Sequence, residues 1–192
     1  MLTLYFAPGA SSMAPHIALH EIGAPFESRP ISLARQEQRT PEFLALNPEG
    51  KVPTLLVDGR PLTEVAAILF YLARRFPAAA LLPDDIEAQA QAVSWMSFIA
   101  STLHSARRQG PEHVTKVWTI ADRKLGRSEW AVGRYSVADI HLFRLFWRIV
   151  GSLKPAPETF PHLWPHCERM MARPAVRRTI EIEQAIGYDL PG

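Results

Sequence analysis

Two adjacent serines, Ser11 and Ser12, stand in "APGASSMAPHIAL" (residues 7–19). They sit between a short apolar strand and a helix that begins near Met13 to Pro15. Hydroxyls at the mouth of a helix suit an anion, because their O–H groups donate and the first-turn N–H groups add partial positive charge. A serine in that place is also an ordinary N-cap. Other polar groups recur at element ends. Lys51 precedes Val52-Pro53, Thr63-Glu64-Val65 opens a helix, Arg35 lies in a loop, Tyr5 lies in the first strand, and His104 lies on a helix in "STLHSARR". Two histidine pairs, His16/His20 and His162/His166, have the i, i+4 spacing of two metal ligands on one helix face. No third ligand stands at metal spacing, so these read as surface or interface histidines, and no metal is expected.

Composition narrows the classes. The chain has 192 residues, 47% of them hydrophobic and 21% charged, with a net charge of +2. That predicts a buried core. It is too little charge for a nucleic-acid footprint, and the basic residues come only in pairs such as Arg74-Arg75, Arg107-Arg108 and Arg177-Arg178. A single cysteine, Cys167, rules out a disulfide within the chain and fits a reducing, cytoplasmic setting; on an apolar helix it reads as an inert core thiol. No signal peptide and no membrane-spanning segment are expected.

The elements that must position these residues follow from periodicity. "LTLYFA" (2–7) reads as a strand and "MAPHIALHEIG" (13–23) as a helix stopped by Gly23. "FESRPISL" (26–33) reads as an edge strand and "TPEFLALNP" (40–48) as a short helix capped by Thr40. "VPTLLVDGRPLT" (52–63) has two strands around an Asp-Gly turn, and "EVAAILFYLARRF" (64–76) is a mostly apolar helix. The order β-α-β-α-β-β-α implies a parallel pair joined by a crossover helix and an antiparallel hairpin, hence a mixed four-stranded α/β domain over residues 1–76. Residues 77–85 are a proline-bounded linker. Residues 86–192 carry only helical patterns and predict an all-α bundle. A long helix should span 84–109 behind an Asp84/Glu87 capping box, and helices should follow over 112–126 and 136–151, the latter boxed by Ser136 and Asp139. Two more helices should complete the chain.

"NPEGKVPTLLVDG", "TEVAAILFYLARRFP" and "GRYSVADIHLFRLFWR", in this order, resemble the glutathione transferase superfamily along essentially the whole chain. "PGASSMAPHIAL" and "STLHSARR" are most similar to the bacterial beta class. The resemblance implies a thioredoxin-like domain followed by an all-helical domain, a homodimer, and sites at the domain cleft. It also implies that glutathione is the co-substrate, that no metal is needed, and that the reaction is thiol conjugation to a small apolar electrophile, a detoxification chemistry.

The anion of the opening motif then becomes a thiolate. Glutathione's thiol has an ordinary pKa near ~8.5, and attack on an electrophile needs the ionised form. Ionising it two pH units lower takes about 2.7 kcal/mol. A hydroxyl hydrogen bond to a charged group contributes roughly 1.5–3 kcal/mol and a helix N-terminus about 0.3–1 kcal/mol. One serine and one helix therefore suffice. Ser11 stands where the beta class typically has a cysteine, and Ser12 matches the serine after it. A serine cannot form a mixed disulfide, so thiolate activation is expected rather than thiol-transferase redox chemistry. Tyr5 is a third candidate for the same task.

For the rest of the ligand, the resemblance implies a cis bond at Val52-Pro53, presenting the Val52 backbone to an extended peptide. An ordinary trans proline at the start of an edge strand is the plain alternative. It implies that Glu64 and the Val65 N–H take the γ-glutamyl end, that Lys51 or Arg35 pairs with the glycyl carboxylate, and that His104 lines the site. Ser97 and Ser105 replace an amide and a lysine that often hold glutathione. The stretch from His104 to Ser136 is shorter than in typical members by roughly three or four helical turns, which implies a wider cleft or one completed by the partner subunit. The competing function is a catalytically weak ligand-binding or interaction protein on the same fold. A zeta-type isomerase ranks behind both, because Cys and Arg do not follow the serine pair.

Overall fold

The computed structural model describes residues 1–188. Two compact units divide it, one made of Met1–Leu72 and the chain from Pro174 onward, the other of Ala73–Arg173.

In the first unit, β1 (Leu2–Phe6) lies between β2 (Glu27–Pro30) and β3 (Thr54–Val57), and β4 (Arg60–Thr63) pairs with β3, giving the order β2-β1-β3-β4. β1 and β2 are parallel, and the other two pairs are antiparallel. This is the expected mixed four-stranded sheet. β2 is shorter than the 26–33 of the alternating pattern, and its last tie to β1 comes from the Ile31 N–H, which donates to the Phe6 carbonyl at 2.7 Å. The β3–β4 turn places Asp58 at φ 49° and Gly59 at φ 81°, the two left-handed residues a tight hairpin needs. Leu4, Phe6 and Leu55 of the sheet are fully buried, as are Ile17 and Leu19 of α1 (Met13–Ile22) and Ile68, Leu69 and Leu72 of α3 (Val65–Arg75). Between them α2 (Pro41–Leu46) is capped by Thr40, whose hydroxyl accepts from the Phe43 N–H at 3.4 Å.

The second unit is helical. α4 (Ile86–Phe98) runs through a π-helical turn (Ile99–Leu103) into the short α5 (His104–Ala106), so the expected single helix over 84–109 changes register before His104. Its cap is Asp85, not Asp84: the Asp85 carboxylate accepts from the Ala88 N–H at 2.7 Å. With Asp85 at the cap, Glu87 falls one position short of the place that would close a capping box. α6 (Pro111–Leu125), α7 (Val137–Leu153) and α8 (Leu163–Met171) complete the unit. α7 is buried nearly all round, with Ile140, Leu142, Phe143 and Phe146 fully buried, and its Ser136/Asp139 capping box is formed. Asp139 does more than cap. One carboxylate oxygen accepts from the Ala131 N–H at 2.8 Å and contacts the buried His166 ring at 3.1 Å. The other accepts from Ser136 N–H at 2.9 Å and Ser136 O–H at 3.1 Å. His166 is therefore a core residue, contrary to the surface place its spacing with His162 suggested. Asp122, also buried, accepts at 2.9 Å from the N–H groups of both His162 and Leu163 and so caps α8.

The last helix, α9 (Pro174–Ile186), packs on α1 in the unit that holds the sheet. Val176, Thr179 and Glu183, spaced at helical intervals, form its buried stripe. No helix among the described residues is long and apolar enough to cross a membrane.

Candidate functional site

The turn after β1 brings the serine pair into position. Ser12 is fully buried, and its hydroxyl is engaged twice with the Ala7 backbone, accepting from the N–H at 3.0 Å and donating to the carbonyl at 3.2 Å. It staples the turn and caps no helical N–H. Ser11 is partly exposed, and its hydroxyl donates to the Val52 carbonyl at 3.3 Å. Of the two, Ser11 holds the hydroxyl that can turn toward a ligand.

Val52-Pro53 is cis, the only such bond among the described residues. Asn47, 3% exposed, builds the loop before it. Its side-chain N–H group donates to the Lys51 carbonyl at 2.8 Å and to Thr54 Oγ1 at 3.1 Å, while its carbonyl oxygen accepts from Glu49 N–H at 3.1 Å. Gly50, at φ 60°, has no room for a side chain: a Cβ there would stand 2.9 Å from the Gln38 carbonyl oxygen.

The ladder ties the remaining candidates to this point. Thr54, next to Pro53, pairs with Tyr5 on one side and Thr63 on the other. Glu64 and Val65 therefore begin α3 one step from the proline. Glu64 is exposed and sits at φ 67°, a left-handed conformation that costs a residue with a side chain about 1–3 kcal/mol. Its carbonyl accepts the Ile68 N–H at 2.9 Å, so it opens the helix and leaves the next N–H groups for an anion.

The other three candidates of this unit are engaged elsewhere. The Tyr5 hydroxyl accepts from Arg29 at 2.9 Å, and its ring packs edge-on against Phe43. Lys51 is 68% exposed and pairs with Glu49 at 2.7 Å; Arg35 is 75% exposed and pairs with Glu37 at 2.9 Å. The structure thus gathers Ser11, Val52, Pro53, Glu64 and Val65 around one backbone corner and leaves both cations on mobile-length side chains at the surface.

Sequence reasoning missed a residue that holds the corner from behind. Glu183 of α9 is fully buried, accepts from the Gly9 N–H at 2.7 Å and contacts Nδ1 of the buried His16 at 2.8 Å. His16 is therefore not at the surface. His20, stacked on it at 4.9 Å, has its pKa brought down to about 4 by burial, with further contributions from His16 and Arg178. The available signal was an acid on the apolar stripe of the last helix.

In the helical unit, His104 follows the π-turn. The residue reaches the surface, yet crowding around its ring, together with the charges of Arg144, Arg107 and Arg108, brings its pKa down to about 4. It is an uncharged imidazole at neutral pH. Cys167 is buried, and desolvation, then the Glu168 charge, pushes its thiol up to about 12. It is inert as a nucleophile.

A thioredoxin-like sheet with a cis-proline corner, followed by a helical unit built on a boxed central helix, defines the class. Residues 1–74 match the family described as glutathione S-transferase, N-terminal domain, and residues 90–174 match its C-terminal domain. Glutathione S-transferase GstA of Escherichia coli O157:H7 is 31% identical, over 95% of this chain and 98% of its own. A bacterial beta class glutathione S-transferase from Sphingomonas chungbukensis superposes with a TM-score of 0.83 at 35% identity, covering 94% of this chain and 98% of that one. A sphingomonad glutathione S-transferase solved in complex with glutathione gives 0.85 at 34% identity, covering 95% and 98%. The chain belongs to the glutathione S-transferase family.

Proposed function

We propose that this protein binds glutathione extended along the Val52-Pro53 corner and transfers it, as the thiolate, to a small apolar electrophile. The observation that carries this reading is the Ser11 hydroxyl on the Val52 carbonyl at 3.3 Å, beside the cis proline. A peptide ligand pairing with that carbonyl through its own N–H displaces the serine hydroxyl. The freed O–H then turns to the ligand's sulfur, at the start of α1. The γ-glutamyl carboxylate takes the Val65 N–H, the exposed Glu64 accepts from the ligand's amino group, and Lys51 or Arg35 swings to the glycyl carboxylate. Tyr5 and Ser12 keep structural roles.

The same reading divides the chain into a glutathione-binding domain (1–76), a linker (77–85) and a helical domain (86–192) whose last helix returns to the first domain. It takes the working form as a cytoplasmic homodimer. The exposed Phe70 of α3 and Val93 of α4 are apolar positions that pairing would cover.

Retention on immobilised glutathione, combined with turnover of a neutral aryl halide, tests the proposal. Specific elution by glutathione and a glutathione-dependent rate support it. Absence of both leaves only a transferase fold without the activity.

A further inference from the structure

Arg35, Arg39 and Lys51 stand on the segments before and after α2, with Glu37, Glu42 and Glu49 among them. Ion pairing sorts these charges. Arg35 pairs with Glu37 at 2.9 Å, and Glu37 also accepts from the Ser32 N–H at 2.8 Å. Lys51 pairs with Glu49 at 2.7 Å. Arg39 makes no ion pair among the described residues, although Glu42 follows three positions later. Its guanidinium donates there only to a backbone oxygen, the Glu49 carbonyl, at 3.4 Å.

Arg39 is also held in place. A Cβ on Gly50 would stand 2.8 Å from Arg39 Nη1 and 3.2 Å from Arg39 Cδ. No residue with a side chain allows that approach, so the end of Arg39 rests on bare backbone two positions before Val52. Using this cation breaks no ion pair and orders little that is not already ordered. Lys51 and Arg35 must each leave an acid first. An exposed guanidinium without an acid is suited to a carboxylate, whose two oxygens match its parallel N–H donors.

The direction of the ligand puts a carboxylate within this region. With the γ-glutamyl end at Val65, on the proline side of the corner, the other end of an extended tripeptide runs over the stretch before Val52. Gly50 and Arg39 stand there. We propose that Arg39 anchors the glycyl carboxylate of glutathione, an assignment that rests on the glutathione reading above. Lys51 or Arg35 adds to this contact only after leaving its acid.

The test compares glutathione with its glycinamide, which lacks only that carboxylate charge, by calorimetry on the full chain. Wild type should bind glutathione more tightly by about fivefold, the upper range for an exposed ion pair, and by less as salt is raised. Arg39→Gln should bind the two peptides equally, whereas Arg35→Gln and Lys51→Gln should each keep most of the preference. With an aryl halide, Arg39→Gln should raise KM for glutathione and leave kcat unchanged, because the contact is made equally before and during transfer. The ratio of the two affinities is the decisive readout, since a loosened loop would weaken both peptides together and leave it intact. A preference that survives in Arg39→Gln, or a larger loss in Arg35→Gln or Lys51→Gln, overturns the assignment alone. So does equal binding of the two peptides by wild type. Failure of wild type to bind either peptide overturns the glutathione reading, and the role of Arg39 falls with it.

Discussion

Glu183, nine residues from the end of the chain's sequence, accepts a hydrogen bond from the Gly9 N–H at 2.7 Å in the turn that carries Ser11. Its second oxygen meets His16 Nδ1 at 2.8 Å, and both side chains are essentially inaccessible to water. The last helix thus fixes the loop on which the proposed thiol-facing hydroxyl stands. Removing one partner of such a pair leaves the other polar group buried and unsatisfied. Glu183→Ala should cost about 3–5 kcal/mol of stability, read as a lowered urea midpoint. Glu183→Gln keeps one acceptor for Gly9 and should lose clearly less. Equal stability of Glu183→Ala and wild type would show that the contact does not organise the turn.

Ser11 and Ser12 should separate cleanly on mutation. Loss of a hydrogen bond to the thiolate removes roughly 1.5–3 kcal/mol of preference for the anion, so Ser11→Ala should raise the apparent pKa of the glutathione-dependent rate by about one to two pH units. The rate constant kcat/KM well below that pKa should fall about 10- to 100-fold. Ser12→Ala should instead lower the denaturation midpoint, because its hydroxyl serves the Ala7 backbone on both sides. A pH–rate profile unmoved by Ser11→Ala would show that the Ser11 hydroxyl does not face the thiol.

Much of this was legible in the chain because local chemistry and tertiary structure agree. The Asp58-Gly59 turn, the Thr40 cap and the Ser136/Asp139 box each combine a residue type with a fixed offset, and each is formed. The site's corner was legible through the order of motifs rather than through any one residue. What could not be read were contacts that span the sequence. Glu183 reaches Gly9 across 174 positions: its place on the buried stripe of α9 marks it as interior, but nothing local to α9 names its partner. His16 and His166 suffered the same fate: their i, i+4 companions suggested surface or interface histidines, but Glu183 and Asp139 satisfy them inside the core. The π-turn was hidden too, since Trp95, Ile99, Leu103 and Ala106 keep a continuous apolar stripe through it.

Asp139 should prove more costly to replace than an ordinary cap. Loss of a capping side chain typically removes about 0.5–2 kcal/mol. Asp139 also receives the Ala131 N–H and contacts His166, all in the interior. Asp139→Ala should therefore lose more than Ser136→Ala, by at least about 1 kcal/mol for the additional unsatisfied buried partner. Chemical denaturation of the two variants side by side measures the difference. Equal losses would reduce Asp139 to its capping role alone.

His141 makes the stability of the helical unit depend on pH, and the sign follows from its surroundings. It is 4% exposed, and burial, with smaller contributions from Arg144 and His104, brings its pKa down to about 3. The unfolded chain binds a proton at this residue near pH ~6.5. Between these values the unfolded state holds a proton that the folded state refuses. The contribution is therefore fully present above pH ~6.5 and declines as the pH falls toward 3, at up to about 1.4 kcal/mol per pH unit. Urea unfolding of wild type and His141→Phe from pH 7 to pH 4.5 isolates it. The wild type should lose stability steadily on acidification, and the variant's slope should be shallower by about that amount once the window is well below pH ~6.5. Parallel slopes would mean that His141 takes up its proton as readily in the folded protein as outside it.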